Sequence, residues 1–178
     1  MILTIIFKFY TMGEETAVFC IRNVKIEKDI PKRMIRKEEN MKIPVIYWSG
    51  SGNTEAMAKA VAEGIKENGN EANLLFVTDA RVEDVKSAEA VALGCPATGT
   101  EELEEGDMEP FVESIAEAVK GKKLVLFGSH DWGEGDWMKD WEERMKGYGA
   151  KLVREGLIVN LEPDEEALEA CKELGKAL

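Results

Sequence analysis

The stretch "IPVIYWSGSGNTEAMAKAVAEGIKENG", residues 43–69, decides the fold, because it passes from an apolar run through small polar residues into a helix-like segment. The run at 43–48 is apolar almost throughout, which is typical of a strand covered on both faces of a parallel sheet. After the polar loop, Met57, Val61 and Ile65 recur every fourth residue and predict an amphipathic helix. The stretch therefore predicts a strand–loop–helix unit.

The same alternation continues to the end of the chain. The predicted strands are residues 43–48, 73–77, 88–94, 123–128 and 151–160. Three further helical spacings are Phe111, Ile115 and Val119; Trp137, Trp141 and Met145; and Leu168, Cys171 and Leu174. Strands that alternate with helices predict right-handed crossovers, and hence a three-layer α/β fold with an open, doubly wound, five-stranded parallel sheet. Ligands of such sheets bind beyond the carboxyl ends of the strands, at the topological switch point.

The charge of the chain is strongly acidic and unevenly distributed. The chain has 23 basic and 35 acidic residues. Residues 1–40 contain 8 of the basic and 6 of the acidic ones, so residues 41–178 contain 15 basic and 29 acidic residues and have a net charge of −14. Such a surface repels nucleic acid and anionic lipid and favours encounters with basic partners. The alternative is that the acidity only maintains solubility.

Cysteine usage and the apolar start indicate the setting of the protein. Cys20, Cys95 and Cys171 are odd in number and have no metal-ligand spacing, which favours a reduced, cytoplasmic environment without a metal site. The start "MILTIIFKFY" is interrupted by Lys8 and is too short to span a bilayer. We therefore expect no transmembrane segment and no membrane partner.

Residues 1–40 differ from the rest in charge and in pattern, so we expect the domain to occupy residues 41–178. Codons for "RKEEN", residues 36–40, can spell a bacterial ribosome-binding site just before Met41. Our hypothesis is that residues 1–40 come from a misplaced start codon; the alternative is a basic arm or an extra strand. Abundant native peptides from before Met41 would contradict the hypothesis.

The loop "SGSGNT", residues 49–54, has the composition of an anion site without a cation. Gly50 and Gly52 let successive N–H groups turn toward one point at a helix N-terminus, while serine, asparagine and threonine side chains add donors. The loop lacks the Gly-Lys-Ser/Thr end of a Walker motif, and Glu55 stands where the dinucleotide pattern GxGxxG needs its third glycine. The loop thus suits a permanently held monophosphate; alone it is also compatible with a simple helix-capping turn.

Two other loops that follow strands carry polar and aromatic residues. "GCPATGTEELEE", residues 94–105, follows the third strand, and "GSHDWGEGDW", residues 128–137, follows the fourth. Trp132 lies between Gly128 and Gly133 without helical spacing, unlike Trp137 and Trp141, whose spacing indicates packing. A flat aromatic side chain at such a position favours contact with a flat ligand.

Residues 41–178 resemble short-chain flavodoxins of anaerobic bacteria such as clostridia. The resemblance lies in five stretches that occur in the family's order. They are "YWSGSGNTEAMA" (47–58), "GCPATGTEELEE" (94–105), "EPFVE" (109–113), "LFGSHDWGEGDWM" (126–138) and "EERMKGYGA" (142–150). The resemblance implies the strand order 2-1-3-4-5 and one non-covalent FMN. It also implies that the protein is a monomer and not an enzyme, and that it transfers single electrons at low potential between redox proteins with basic docking surfaces.

The resemblance also implies which residues contact FMN. They are Ser49, Gly50, Ser51, Gly52, Asn53 and Thr54 in the first loop; Pro96, Ala97, Thr98, Gly99, Thr100 and Glu101 in the second; and Ser129, His130, Asp131, Trp132 and Gly133 in the third. The first loop and Ser129 match the phosphate contacts, and Trp132 and Thr98 match the residues on the two faces of the ring. Gly99 matches the glycine whose peptide turns over on reduction to bond flavin N5, and Glu101 matches the carboxylate that accepts the ring N3–H.

Several positions depart from the family pattern. Thr98 stands where methionine is frequent, Thr100 where aspartate is frequent, and His130 and Asp131 where Tyr-Gly usually precedes the tryptophan. Since His130 is the only histidine, we formulate the hypothesis that its titration modulates the flavin potential; the alternative is a histidine without a special role. Cys95 is interpreted as a small buried residue and Trp48 as packing beneath the phosphate loop.

Two other function classes compete with the electron carrier. An FMN-dependent NAD(P)H:quinone reductase needs basic groups for the nicotinamide nucleotide, whereas these loops are acidic. A phosphoacceptor signalling domain needs an aspartate at the end of the third strand, where Gly94 and Cys95 stand. The carrier is therefore the leading prediction and the reductase the alternative.

Overall fold

The computed structural model describes residues 41–178, so the hypothesis about residues 1–40 lies outside the described part of the chain. The elements, in chain order, are β1 (Lys42–Tyr47), α1 (Asn53–Glu67), β2 (Glu71–Phe76), a 3₁₀ turn (Val77–Asp79), α2 (Val82–Ser87), β3 (Ala90–Gly94), α3 (Met108–Ser114), β4 (Lys123–His130), α4 (Asp136–Gly147), β5 (Lys151–Leu152), β6 (Leu157–Asn160) and α5 (Glu165–Lys176). Among these described helices, none is long and apolar enough to cross a membrane.

The named strands form one parallel sheet in the order β2-β1-β3-β4-β5, which confirms the expected strand order. The chain leaves β1 on one side to form β2 and returns on the other to form β3. This reversal creates the switch point, with the loops after β1 and β3 side by side at the carboxyl edge.

The last predicted strand is interrupted. Instead of one strand over 151–160, β5 and β6 each pair with β4, so six strands fill five positions in the sheet. Between them the Gly156 N–H donates to the Glu142 carboxylate of α4 and not to a neighbouring strand. A Cβ at Gly156 would lie 2.4 Å from Met138 Sδ, so the break packs directly on α4.

Two helical segments differ from the expectation. The sequence pattern did not indicate α2, because its six residues bury only Val85 and show no periodicity. The helix expected around Phe111, Ile115 and Val119 ends at Ser114, and the chain continues as turns. Ile115 and Val119 are nevertheless buried, so the apolar spacing reports burial correctly and helix length incorrectly.

The core lies on both faces of the sheet, as alternation along buried strands requires. One face packs β-strand residues such as Val45 and Phe127 against α1 and α5, and the other packs residues such as Leu93 against α3 and α4. On the first face α1 and α5 touch backbone to backbone, since a Cβ at Gly175 would lie 2.1 Å from the Val61 carbonyl oxygen. The helices thus leave the carboxyl edge of the sheet to the loops.

Candidate cofactor site at the carboxyl edge of the sheet

The loop after β1 ends at an uncapped helix. Gly52 has φ +96° and occupies the N-cap of the 15-residue helix α1, where no side chain accepts from the first amides. Those N–H groups and the positive end of the helix dipole are available to an anion. The Gly52 N–H donates to Ser49 Oγ at 3.1 Å, which curls the loop. A Cβ at Gly50 would lie 3.0 Å from the Trp48 indole, so Trp48 packs beneath the loop as predicted.

Two of the predicted phosphate contacts meet across the sheet. Thr54 Oγ1 lies 3.1 Å from Ser129 Oγ, although the residues are 75 positions apart. Both are almost fully buried, with 1% and 4% of their surface exposed. Because a buried hydroxyl can donate one hydrogen bond and accept others, this pair holds the start of α1 to the end of β4 and retains capacity for an anion.

The loop after β3 forms a tight turn. Thr98 and Glu102 exchange two backbone hydrogen bonds of 2.9 Å, and the Ala97 N–H donates to the Ser129 carbonyl at 2.9 Å. Within the turn Gly99 and Glu101 have left-handed φ angles of +52° and +61°. Gly99 is solvent-exposed, and an added Cβ would be 4.0 Å from the nearest atom. Glycine is therefore favoured here by the left-handed backbone conformation and not by a lack of space for a side chain. Pro96 and Ala97 are half-buried, and Thr100 is exposed at the tip.

Glu101 links this turn to the next loop. Its Oε1 accepts from the backbone N–H of Gly135 at 2.8 Å and of Asp136 at 3.2 Å, at the start of α4. A Cβ at Gly133 would lie 2.2 Å from the Glu101 Cδ, so the carboxyl group packs on the backbone there. α4 has no side-chain cap of its own, and Glu101 supplies one from 34 residues away. The other oxygen, Oε2, has no protein hydrogen bond among residues 41–178.

The loop after β4 presents an aromatic side chain to solvent. Trp132 is 52% exposed, in contrast to Trp137 and Trp141, which are buried as their spacing predicted. His130 is half-buried, its Nδ1 lies 3.3 Å from the Trp132 carbonyl oxygen, and its ring lies 5.5 Å from that of Trp137. Asp131 is exposed.

Three residues that the sequence reasoning did not assign to the site support its loops. The Trp137 indole N–H donates to the Cys95 carbonyl at 3.4 Å, and a Cβ at Gly128 would lie 2.0 Å from the same oxygen. Glu104 accepts from the backbone N–H groups of residues 106, 107 and 108. The Trp137 spacing indicated burial, and the partners of Glu104 lie two to four residues further along the chain, whereas no local signal identifies the contact of Gly128.

The titratable groups near the site are consistent with a structural role for Cys95. Burial raises the pKa of the Cys95 thiol to about 12, so it stays protonated and unreactive at neutral pH. Burial also raises the pKa of Glu104, but its three backbone donors outweigh that effect and hold the pKa below its usual value. The carboxylate of Glu104 is therefore ionised and anchors the loop after β3.

Together these loops form a site for a flat, phosphorylated ligand. Hydroxyls and free amides at an uncapped helix N-terminus suit a phosphate, and the loop contains no acidic side chain to oppose it. An exposed tryptophan and a carboxylate oxygen without a partner suit a flat ring with an N–H donor. The fold and this donor set are those expected of an α/β domain with a mononucleotide site at its switch point.

Comparisons with known proteins agree with this class. The family model described as Flavodoxin matches residues 45–175. The chain is 48% identical to a flavodoxin of Clostridium beijerinckii and 44% identical to one of Megasphaera elsdenii, over 75% and 76% of its length and 96% of theirs. The solution structure of two-electron reduced Megasphaera elsdenii flavodoxin superposes with a TM-score of 0.70, at 76% coverage of this chain and 96% of that one.

The chain belongs to the flavodoxin family. It is an electron-transfer protein whose cofactor is FMN, as it is for the family and its close relatives.

Proposed function

We propose that this chain holds FMN across the three loops and carries single electrons between redox proteins. The contact between Thr54 and Ser129 supports this most directly, because it brings together the start of α1 and the end of β4, 75 residues apart, which the resemblance matches to the same phosphate. When bound, FMN supplies the redox chemistry; the protein binds it, orients it and sets its potential.

The phosphate end of the site is built without a cation. We assign the phosphate contacts to Ser129 and to the first loop. The first-loop residues in this assignment are Ser49, Gly50, Ser51, Gly52, Asn53 and Thr54. Lys59 lies one turn further along α1, but its ammonium forms an ion pair with the Glu55 carboxylate at 2.6 Å. Neutral donors fixed by the fold hold a phosphate without reorganisation, which suits a cofactor that stays bound.

The ring end uses the other two loops. We assign Trp132 and Thr98 to opposite faces of the ring, Glu101 Oε2 to its N3–H, and the Gly99 carbonyl to the N5 edge. We also assign to the FMN site the other predicted residues of these two loops, which are Pro96, Ala97, Thr100, His130, Asp131 and Gly133. Because Glu101 already bonds α4 through Oε1, its second oxygen is held in place before a ring arrives.

The charges of these loops favour a low potential. Residues 96–109 and 128–136 contain nine acidic residues and no lysine or arginine. A ring that becomes anionic on full reduction is destabilised by nearby carboxylates, since the repulsion is strong where water is scarce. We therefore expect the second electron to enter at low potential.

The acidic surface also favours one class of partner. We propose docking to basic surfaces of redox proteins in the cytoplasm, by a monomer that does not transform a substrate of its own. The absence of basic side chains from the two ring loops argues against the reductase alternative, since a nicotinamide nucleotide carries phosphates.

The test is spectroscopic. Apoprotein mixed with FMN should bind one equivalent and show flavin absorption bands, and photoreduction should accumulate a stable one-electron-reduced form. NAD(P)H should not reduce it at a catalytic rate, with or without a quinone. Failure to bind FMN, or rapid reduction by NAD(P)H without the one-electron form, would overturn the proposal.

A further inference from the structure

A surface rich in lysine lies at the amino edge of the sheet, at the opposite end of the strands from the cofactor loops. It consists of three segments that lead into β3, β4 and β5, which are residues 86–90, 119–123 and 146–151, and we call it the lysine surface. It contains six of the 15 basic residues of the described chain and only one of the 29 acidic residues. The net charge is therefore +5 on the lysine surface and −19 on the rest of residues 41–178.

The three segments of the lysine surface are in contact with one another. The Gly121 N–H donates to the Gly149 carbonyl oxygen at 2.8 Å, which joins the second segment to the third. The Lys122 ammonium donates to the Lys86 carbonyl oxygen at 3.0 Å, which joins the second segment to the first. The lysines therefore belong to one continuous surface and are not scattered along the edge of the sheet.

The fold explains three of the six lysines. Lys86 and Lys146 lie in the last turns of α2 and α4, where a positive charge complements the helix dipole. They also form ion pairs with Glu83 at 3.5 Å and with Glu142 at 2.8 Å. The Lys122 ammonium donates to two backbone carbonyls at the end of α2 and so stabilises that end.

The other three lysines, Lys120, Lys123 and Lys151, are exposed and lie outside the helices. Lys123 and Lys151 are register partners at the starts of β4 and β5, and like charges side by side in a sheet are destabilising. The Lys123 ammonium donates to the Leu178 carbonyl oxygen at 3.2 Å, whereas Lys120 and Lys151 form no ion pair within residues 41–178. A Cβ at Gly149 would lie 3.2 Å from the Lys120 Cγ, so this third lysine also borders the segment that holds Lys151. An anion from outside would relieve this repulsion.

The backbone of the lysine surface favours carboxylates over phosphate. Phosphate sites commonly use free backbone N–H groups and helix N-termini, whereas the N–H groups of residues 121–123 and 148–151 all donate to carbonyls within the described chain. The helices α2 and α4 present their C-termini here, and these repel an anion. Separate ammonium groups without a backbone cradle suit the separate carboxylates of an extended acidic segment. A membrane or a nucleic acid is wider than the surface and would meet the surrounding charge of −19.

On these grounds we infer that the lysine surface docks an acidic segment of a partner protein. The strand β4 spans its eight residues between this surface and the cofactor loops, a length on the order of 25 Å. Charges at the two ends act almost independently, because salt screens them over about 8 Å. A partner that is held at the lysine surface thus leaves the three cofactor loops free for other contacts. Docking of this kind does not depend on the proposed electron-carrier function.

The test measures binding of the full, FMN-loaded chain to a rhodamine-labelled decaglutamate peptide, by fluorescence anisotropy at low and at high salt. The variant is the double substitution Lys120→Gln/Lys151→Gln, with Lys120→Gln alone as a second form. The matched control is Arg81→Gln/Lys139→Gln, which removes two exposed positive charges outside the lysine surface. Both double variants have the same net charge, so general repulsion of the peptide is equal in the two.

At low salt we expect Lys120→Gln/Lys151→Gln to bind the peptide about fivefold more weakly than the control, as the loss of two exposed charge pairs implies, and Lys120→Gln about twofold more weakly. High salt should abolish the difference. The melting temperature of the double variant should not fall, since the substitution separates no ion pair within residues 41–178. Reduction of ferricyanide by the reduced protein should be equally fast with and without the peptide, because the cofactor loops stay free.

Equal affinities of the two double variants, or no binding by the unmodified protein, would overturn the inference. Tighter binding to phosphatidylglycerol vesicles or to duplex DNA than to the peptide, weakened by the same double variant, would overturn the assignment to a protein segment. Salt-sensitive self-association that this variant abolishes would likewise contradict it and would identify a second copy of the chain as the occupant. Failure of the chain to take up FMN would overturn the proposed function alone, since the peptide titration can be repeated on the apoprotein.

Discussion

Replacement of Thr54 by valine should weaken the binding of FMN far more than that of riboflavin, which lacks the phosphate. Valine keeps nearly the same shape at a site that is 1% exposed, so the change removes a hydroxyl and little packing. A hydrogen bond to a charged group contributes about 1.5 to 3 kcal/mol. The dissociation constant for FMN should therefore rise about 10- to 150-fold.

The variant also leaves the Ser129 hydroxyl without the partner that now lies 3.1 Å away. An unpaired buried hydroxyl costs about 1 to 3 kcal/mol, so the apoprotein should lose stability by that amount in urea unfolding. Ser129→Ala alone should do the same, and the double variant should lose less than the sum, because the two hydroxyls share one bond.

The assay is a titration of apoprotein with FMN and with riboflavin, followed by quenching of flavin fluorescence. Thr78→Val is the matched control, since it makes the same chemical change at an exposed position in the turn after β2. An equal loss of affinity for both flavins would refute the reasoning, because it would show that the hydroxyl acts on the fold and not on a phosphate.

Two other predictions concern the fold and the loop after β3. Gly175→Ala should lower the free energy of unfolding in urea by about 1 to 3 kcal/mol, since its Cβ would meet the α1 backbone. Gly147→Ala is the control, because there is open space around Gly147, and it should not destabilise the protein. Equal effects of the two variants would contradict the packing argument. Glu104→Gln should lower the free energy of unfolding by about 1 kcal/mol at neutral pH, as the loss of a helix cap does. Since the folded pKa of Glu104 is lowered, this difference should disappear as the pH falls through that pKa, and a difference that persisted in acid would exclude the carboxylate as its source.

The sequence alone predicted the local elements well where the apolar pattern was strong. Met57, Val61 and Ile65 are buried on one side of α1, and Trp137 and Trp141 are buried while Trp132 is exposed. Such patterns are readable because the period of a helix or strand places apolar residues on one face whatever their partners are. The strand order and the cofactor were predicted from the family resemblance of five stretches; the structure confirms the order, and the comparisons confirm the family and its cofactor.

Only the tertiary structure decided the details that join distant residues. The interruption between β5 and β6 depends on Glu142 taking the Gly156 N–H, and the cap of α4 comes from Glu101, 34 residues away. The exposed, left-handed Leu161 likewise has no signature in its own segment. The sequence thus determined most of the strands, helices and polar loops, because those depend on nearby residues. Which hydroxyls, carboxylates and backbone groups meet depends on how the whole sheet brings its carboxyl ends together.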